Sequence, residues 1–298
     1  MESFRPLLPV GYASVAQAYR AAVEQLTAHD LTTHYTDGLE FFHGRFVPHL
    51  KQVLAELSGG VWSLDDFDAY AAGSDVDLMT HVVEAVAARE SVSLYPGDWF
   101  GFRVGSTHPD RIHWQTRANE GLACLCIPSV RNGHVSGDLL AFLDSAPACL
   151  LNLNLYPTLA DDERRTVAEE LQPLLPKSLL SISFSRGFGL TASQLGVMLV
   201  PRHHPYRARF AQTWEWFTYF YNGLAARAFM QLDPAELQTI DTARRRWVHD
   251  WLAANQLPVV STGSYYVKSF LVDGPLPDYL RPLCRDGLVR LCFKPPQI

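Results

Sequence analysis

The chain reads as an α/β protein. Short apolar runs of strand type alternate with amphipathic helical stretches along nearly its whole length, the pattern of a layered sheet-and-helix fold. Its 298 residues, 48% hydrophobic and 19% charged, are enough to bury a sizeable core in one large domain or two packed ones. A net charge of -6 spread without a basic run argues against nucleic acid as a partner. No apolar run approaches the roughly 20 residues of a membrane helix, and Met1-Glu2-Ser3-Phe4-Arg5 does not read as a signal peptide. Cys124, Cys126, Cys149, Cys284 and Cys292 are odd in number and lack metal spacing. They read as reduced, mostly buried thiols of a cytoplasmic protein.

Taken in order, Val15 to Ala28 carries apolar residues at helical spacing and predicts an amphipathic helix, and Arg45 to Leu57 predicts another. Tyr70-Ala71-Ala72-Gly73-Ser74-Asp75 leads into a helix over Val76 to Ala88. A Gly-Ser turn there sets backbone N–H groups and a hydroxyl at a helix N-terminus, where an anion is stabilised. Ser74 or Asp75 reads equally as an ordinary N-cap, and Asp75 puts negative charge where an anion would sit. Val92 to Phe102 is a strand, a turn and an aromatic cluster in which Trp99 offers either a flat wall for a planar ligand or simple packing. Leu122 to Ile127 is a buried-type strand, followed by a turn over Arg131 to Gly137 and a helix from near Asp138. Ala148 to Leu155 is the next strand, and Asp161 to Leu175 a charged helix with acids at its N-terminus. Pro205 to Leu232 reads as a long helix rich in aromatics, including Trp214, Trp216, Phe217, Tyr219, Phe220 and Tyr221. Ala235 to Gln256 reads as another, opened by Asp233-Pro234.

The chemistry centres on Ser181 to Leu190. An alternating strand (Leu180, Ile182, Phe184) runs into a serine- and glycine-rich turn, then Thr191 to Gly196 and an apolar run from Val197 to Val200. The stretch resembles the signature of the class I/II aminotransferases of pyridoxal-phosphate fold type I, Ser-Phe-Ser-Lys-x-x-Gly-Leu-x-x-x-Arg-x-Gly. In that family the lysine forms the Schiff base with the cofactor. Here the lysine position is Arg186 and the later arginine position is Gln194.

Further segments resemble the family in the right order, from Tyr35 to Phe293. The resemblance implies a tyrosine from the neighbouring subunit at Tyr35, or a loop tyrosine on the bland reading. It implies a phosphate turn at Ser74, a ring stacked on the pyridine at Trp99 and a pyridine contact at Asn132. The family's Asp-x-x-Tyr becomes Leu153 to Tyr156, with Asn152 and Asn154 on either side of the lost aspartate. Pro258 to Val267 resembles the small-domain hairpin. Gly287 to Phe293 resembles the closing strand, with Arg290 as the fork for a substrate carboxylate. The fold so implied is a three-layer α/β/α large domain with a mostly parallel sheet over residues 30–215, and a small α/β domain from residues 1–29 and 216–298. A homodimer with active sites at the interface is implied as well.

Three of four cofactor groups are missing, and an arginine, protonated near pH 7, replaces neither the amine nor the base that a lysine provides. Lys51, Lys177, Lys268 and Lys294 all lie outside the motif. The expectation is therefore a biosynthetic protein of aminotransferase fold with no cofactor. It holds a small carboxylate-bearing, amino-acid-like metabolite among Arg290, Arg186, Tyr35, Ser74, Trp99, Asn132, Asn154, Ser183 and Gln194, with Arg186, Tyr156 and Ser185 as the polar catalytic groups. Two alternatives stand beside it: non-covalent binding of pyridoxal or pyridoxamine phosphate, and a non-catalytic subunit that supports a partner. His29, His34, His43 and His49 crowd one region without metal-pair spacing and read as surface or interface residues. His203-His204 reads as a loop, with a pH-sensitive place at the cleft rim as the sharper option.

Overall fold

The computed structural model describes residues 7–32, 35–191, 193–208, 211, 222–271, 274–285 and 287–296; the side chains of 31–37 and 285 lie outside that description. Seven strands form the main sheet: β1 Phe67–Ala72, β2 Val92–Leu94, β3 Ile112–Trp114, β4 Leu122–Cys126, β5 Ala148–Asn152, β6 Ser178–Ser183 and β7 Gly196–Pro201. Their order is β1-β7-β6-β5-β4-β2-β3. Strands β3, β2, β4, β5 and β6 run parallel, and β7 is antiparallel to both β6 and the edge strand β1. Strand β3 has no counterpart in the sequence reading. It is three residues long and exposes His113 and Trp114, so neither a long apolar run nor a clean alternation marks it.

The strand pleat divides the core between two faces. On one face Ala69, Ala123, Leu125, Leu151, Leu180, Ile182, Val197 and Leu199 pack under helices α1 Ala13–Glu24, α4 Val47–Leu57, α6 Gly137–Asp144 and α7 Asp161–Leu171. The opposite face presents Tyr70, Leu94, Leu122, Cys124, Leu150, Leu179, Met198 and Val200 to one helix, α5 Asp75–Ala87, through Leu78, Met79, Val82, Val83 and Val86. Helices on both faces of a mostly parallel sheet make the three-layer α/β arrangement that the sequence implied. Between α1 and α4 the chain forms α2 Ala28–Thr32 and α3 Tyr35–Phe41, and a π-helical turn, Phe42–Phe46, joins α3 to α4. Helix α7 ends earlier than expected because Pro173 and Pro176 turn the chain into a 3-10 segment, Gln172–Lys177.

A second sheet of three strands, β8 Val267–Leu271, β10 Leu288–Cys292 and β9 Cys284–Arg285, is antiparallel throughout. Its core, with Tyr265, Tyr266, Phe270, Val289 and Leu291, also takes Val10 from the chain start. It takes Val248 and Leu252 from the long helix near the C-terminus, Pro234–Ala254. The short helix Gly223–Phe229 and α1 instead pack on the large core, through Ala18, Ala22, Ala225 and Phe229. We label these two late helices α8 (Gly223–Phe229) and α9 (Pro234–Ala254). Of the aromatic helix expected over Pro205 to Leu232, Trp214, Trp216, Phe217, Tyr219, Phe220 and Tyr221 lie outside the described residues.

Candidate active-site cleft

The carboxyl ends of parallel strands are where an α/β sheet opens a crevice. Here that edge gathers Ala72 and the turn to α5, Cys126, Asn152, Ser183 and the start of β7 at Gly196. Ser74 is the N-cap of α5, its hydroxyl accepting from the Asp77 N–H at 3.1 Å. Gly196 is dictated by packing, since a Cβ there would overlap the backbone of Ser74 and Asp75. Strand β7 thus abuts the helix N-terminus and presses the turn into the cleft floor.

Asp75, the first residue of α5, is turned inward and only 7% exposed. Burial pushes its carboxyl up to about 6, against the pull of Arg186, of its own and Val76's backbone N–H groups, and of the Ser183 hydroxyl. Ser183 closes β6, 6% exposed, with its oxygen 3.0 Å from that of Ser185. Arg186 is half-buried and donates from Nε to the Leu7 carbonyl at 2.9 Å, so the chain start lies across the signature turn. Gly189 (φ 69°) packs so tightly on the Tyr12 ring that a side chain would collide with it. Cys126 lies near the same charges: burial drives its thiol well up, Asp98 and Asp75 push the same way, and Arg186 opposes them.

The other sequence-predicted residues scatter. Tyr156 is corrected out of the cleft. It is fully buried, stacked on Trp62 at 4.8 Å, and donates its hydroxyl to the Arg164 carbonyl at 3.0 Å; burial pushes it well above the usual tyrosine range. The reason is register: Asn152 ends β5 and a 3-10 turn, Tyr156–Thr158, carries the ring into the core. Leu153 is likewise in the core, while Asn154 stays half-buried with an Oδ1 that meets no hydrogen-bond donor among the described residues. Trp99 packs edge-on against Phe102 (5.0 Å, 73°) beside the α5 cluster, with Gly101 flat beneath its ring. Its neighbour Asp98 is the more constrained group, 7% exposed and accepting from Cys126 N–H (2.8 Å), Ser129 Oγ (2.8 Å) and Val130 N–H (3.0 Å). Asn132 caps its own loop, accepting from His134 N–H at 3.0 Å, and its carbonyl meets Ser269 Oγ at 3.5 Å. Arg290 sits half-buried on β10, paired across the ladder with Ser269, so it and Asn132 share the small-sheet side. Gln194 is exposed in a left-handed conformation (φ 45°). Tyr35 begins α3, with its side chain outside the described residues, and His34 is outside them altogether.

The lysines lie elsewhere. Lys51 and Lys177 serve the far end of the strands, binding the Phe67 carbonyl and the Asp144 and Ala146 carbonyls. Lys268 is buried in the small sheet, its Nζ on the Thr262 and Gly263 carbonyls, and burial lowers it to about 8. Lys294 is exposed. His204 also belongs to the far end rather than to the cleft rim. It is 3% exposed, with Nε2 3.2 Å from the Lys177 carbonyl and Nδ1 accepting from Tyr206 N–H, and burial holds it down to about 4. Among the described residues no three His, Cys, Asp or Glu side chains converge as a metal site, and all five cysteines are free thiols. No helix among them is long and apolar enough to cross a membrane.

One polar cluster escaped the sequence reading. Tyr12 and Tyr265 each donate to Asp241 Oδ1 at 2.8 Å, and Arg244 donates to the Tyr265 hydroxyl (3.1 Å) and the Gly11 carbonyl (2.5 Å). Arg244 is 0% exposed and lies 4.1 Å over the Tyr12 ring. The cluster clamps the chain start, which also bonds the signature turn through Tyr12 Oη and the Gly187 carbonyl, to α9. The only sequence signal was the spacing of Asp241 and Arg244 on one helix face.

No protein-family model matches the sequence, and no curated protein does. Solved structures match it in fold. A histidinol-phosphate aminotransferase from Clostridium acetobutylicum covers 99% of this chain and 95% of its own, with a TM-score of 0.66 at 9% identity. YbdL from Escherichia coli, identified as having a methionine aminotransferase function, covers 97% and 88% with a TM-score of 0.66 at 14% identity. A histidinol-phosphate aminotransferase from Sinorhizobium meliloti, solved in complex with pyridoxal-5'-phosphate, covers 88% and 75% with a TM-score of 0.58 at 18% identity. The chain has the fold of the class I/II aminotransferases. These neighbours overturn the expectation that no cofactor belongs here, since the fold is one that carries pyridoxal phosphate.

Proposed function

We propose that the chain is an aminotransferase-like protein whose cleft binds a pyridoxal- or pyridoxamine-phosphate group without a covalent link, together with a small carboxylate-bearing, amino-acid-like ligand. The observation that carries this reading is Arg186. It stands in the signature turn where a lysine would attach the cofactor, and its charge still acts on Asp75, the first residue of α5. The residues present fit a phosphoryl group in most respects: backbone N–H groups at the N-terminus of α5, the Ser183 and Ser185 hydroxyls, and a guanidinium. Arg186 supplies at the cup the positive charge that Gln194, exposed and left-handed, does not. One residue opposes the fit, the inward Asp75 carboxyl.

When bound, such a group supplies an electron sink for chemistry next to an amine. The chain's own residues orient and screen. Ser183 and Ser185 hold phosphoryl oxygens, the Leu7–Tyr12 segment keeps water from Arg186, and Arg290 on β10 receives a ligand carboxylate in a bidentate fork. Asn152 and Asn154, both neutral, close the β5 side without a carboxylate to hold a ring nitrogen protonated. The protein acts as a homodimer in this reading, with the Tyr35 region at the interface.

The test is spectroscopic titration of the purified protein with pyridoxamine phosphate and with pyridoxal phosphate, followed by gel filtration and borohydride treatment. The expected result is saturable binding of both compounds, lost on gel filtration, with no lysine labelled after reduction. Failure of either compound to bind at millimolar concentration, or a reduced label fixed on a lysine, overturns it.

A further inference from the structure

Four features of the β1–α5 turn favour an anion, and the chain itself provides one. They are the N–H groups at the start of a 13-residue helix, of which those of Asp75 and Val76 turn to the Asp75 carboxyl, the Ser183 hydroxyl, the Arg186 guanidinium, and a floor made shallow by Gly196. An acid in the first turn of a helix ordinarily stays at the surface and gains from the dipole there. Asp77, two residues on, does so and is exposed. Asp75 is instead folded inward, closed over by β7 from below and by β6 from the side, in the place where the fold's cleft gathers donors. Burying a carboxylate is costly unless donors surround it, and the donors around Asp75 are those that a phosphoryl group needs.

We infer that the Asp75 carboxylate is the resident anion of this cup, and that a phosphate monoester enters by displacing it from Ser183, Arg186 and the α5 N-terminus. The inference rests on the reading of the cleft given under Proposed function and sharpens it. The phosphate site is built but occupied in cis, so affinity for a phosphate monoester is set by competition with a tethered carboxylate rather than by the donors alone. Charge explains the size of the effect. With Asp75 ionised, Arg186 and the helix end are already offset, and an incoming dianion meets a like charge at close range. With the carboxylate removed, the guanidinium, the two serines and the helix N-terminus face the dianion unopposed.

The experiment is phosphate binding by isothermal titration or equilibrium dialysis at low salt, with inorganic phosphate and pyridoxamine phosphate as probes. Native protein is compared with Asp75→Asn, Asp75→Ala and, as a control for net charge on the same helix, Asp77→Asn. The expected result is an affinity for inorganic phosphate at least roughly tenfold tighter in both Asp75 variants than in native protein, with Asp77→Asn within about twofold of native. Adding Arg186→Gln to Asp75→Ala abolishes the gain. An unchanged affinity in Asp75→Asn and Asp75→Ala, or an equal gain in Asp77→Asn, overturns the inference. Asp75→Asn is nearly isosteric and guards against a variant that merely unfolds. Failure of this idea is separable from failure of the cofactor reading. Tight inorganic phosphate with no pyridoxamine phosphate binding in Asp75→Asn leaves the cup and removes the cofactor. Native protein that binds pyridoxamine phosphate as tightly as the variants keeps the cofactor and removes the plug.

Discussion

Asp75 and Asp241 are chemically alike and structurally opposite. Each is buried, each sits near an arginine and hydroxyl donors, and burial pushes each up to about 6. Around Asp241 the site is sealed: Arg244 is 0% exposed, both tyrosines are core residues, and the guanidinium reaches back to the chain start at Gly11. Around Asp75 it is half open, because Arg186 is only partly buried and, among the described residues, is anchored on the Leu7 carbonyl of a peripheral segment. The sealed pair is architecture that joins α1, α9 and the small sheet. The half-open pair can be exchanged for another anion. Burial of the partner arginine, more than the carboxyl itself, separates a strut from a site.

The largest expected effect tests the sealed half. Asp241→Ala leaves Arg244 charged and buried with its main counter-charge gone, a change that costs about 3–5 kcal/mol in comparable buried pairs. Urea unfolding should show it as a fall in midpoint. A loss below about 1 kcal/mol would mean that the cluster is wet, and the contrast with Asp75 would collapse.

A second test uses pH. Both carboxyls rise from 3.8 to about 6 on folding, so across that interval the folded chain keeps protons that the unfolded chain has released. Stability contributed by these protons is fully present below the unfolded value and is lost as pH rises through the folded one. Each group adds a slope of at most about 1.4 kcal/mol per pH unit. Asp98, raised by burial, acts in the same sense, whereas Glu84 and Asp138, lowered on folding, act in the opposite one. The useful quantity is therefore a difference: Asp75→Asn should flatten the fall of stability between about 3.8 and about 6 by one group's share. Identical pH profiles for native and variant would place Asp75 in solvent.

The contrast also shows what the sequence could carry. The fold was legible because strand–helix alternation and a collinear set of short motifs survive at identities as low as 9%. Ser183, Ser185 and Arg186 could be grouped from sequence because the turn that holds them is local, bounded by β6 and Gly189, whereas Ser74 joins them only through the approach of Gly196 to the β1–α5 turn. Tyr156 was not, since one extra turn of 3-10 backbone after β5 swings it from the strand end into the core, and no spacing rule marks that rotation. The direction of Asp75 was hidden for a similar reason. An aspartate after a serine reads as a surface acid in a helix's first turn until β7 is seen pressing from below. The Asp241–Arg244 cluster draws Tyr12 and Tyr265 from opposite ends of the chain, a convergence invisible to any local pattern.

The smallest expected effect is also the most discriminating, because it compares one hydroxyl in each region. Tyr265→Phe removes a donor from Asp241 in the sealed cluster, where no water replaces it, and should cost about 1–3 kcal/mol. Ser183→Ala removes the matching donor from Asp75, but Ser185 Oγ lies 3.0 Å from the lost oxygen and the cleft is open on that side. Its cost should stay near or below about 1 kcal/mol. By titration the two variants should move in the same sense, since the Tyr265 hydroxyl pulls Asp241 down as the Ser183 hydroxyl pulls Asp75 down. Loss of the hydroxyl that pulls Asp75 down moves it further up, so in Ser183→Ala the pH-dependent fall in stability extends to higher pH than in native protein. Equal costs for the two hydroxyls, measured by urea unfolding at the same pH, would show that the cup is as sealed as the clamp and that Asp75 is a strut after all.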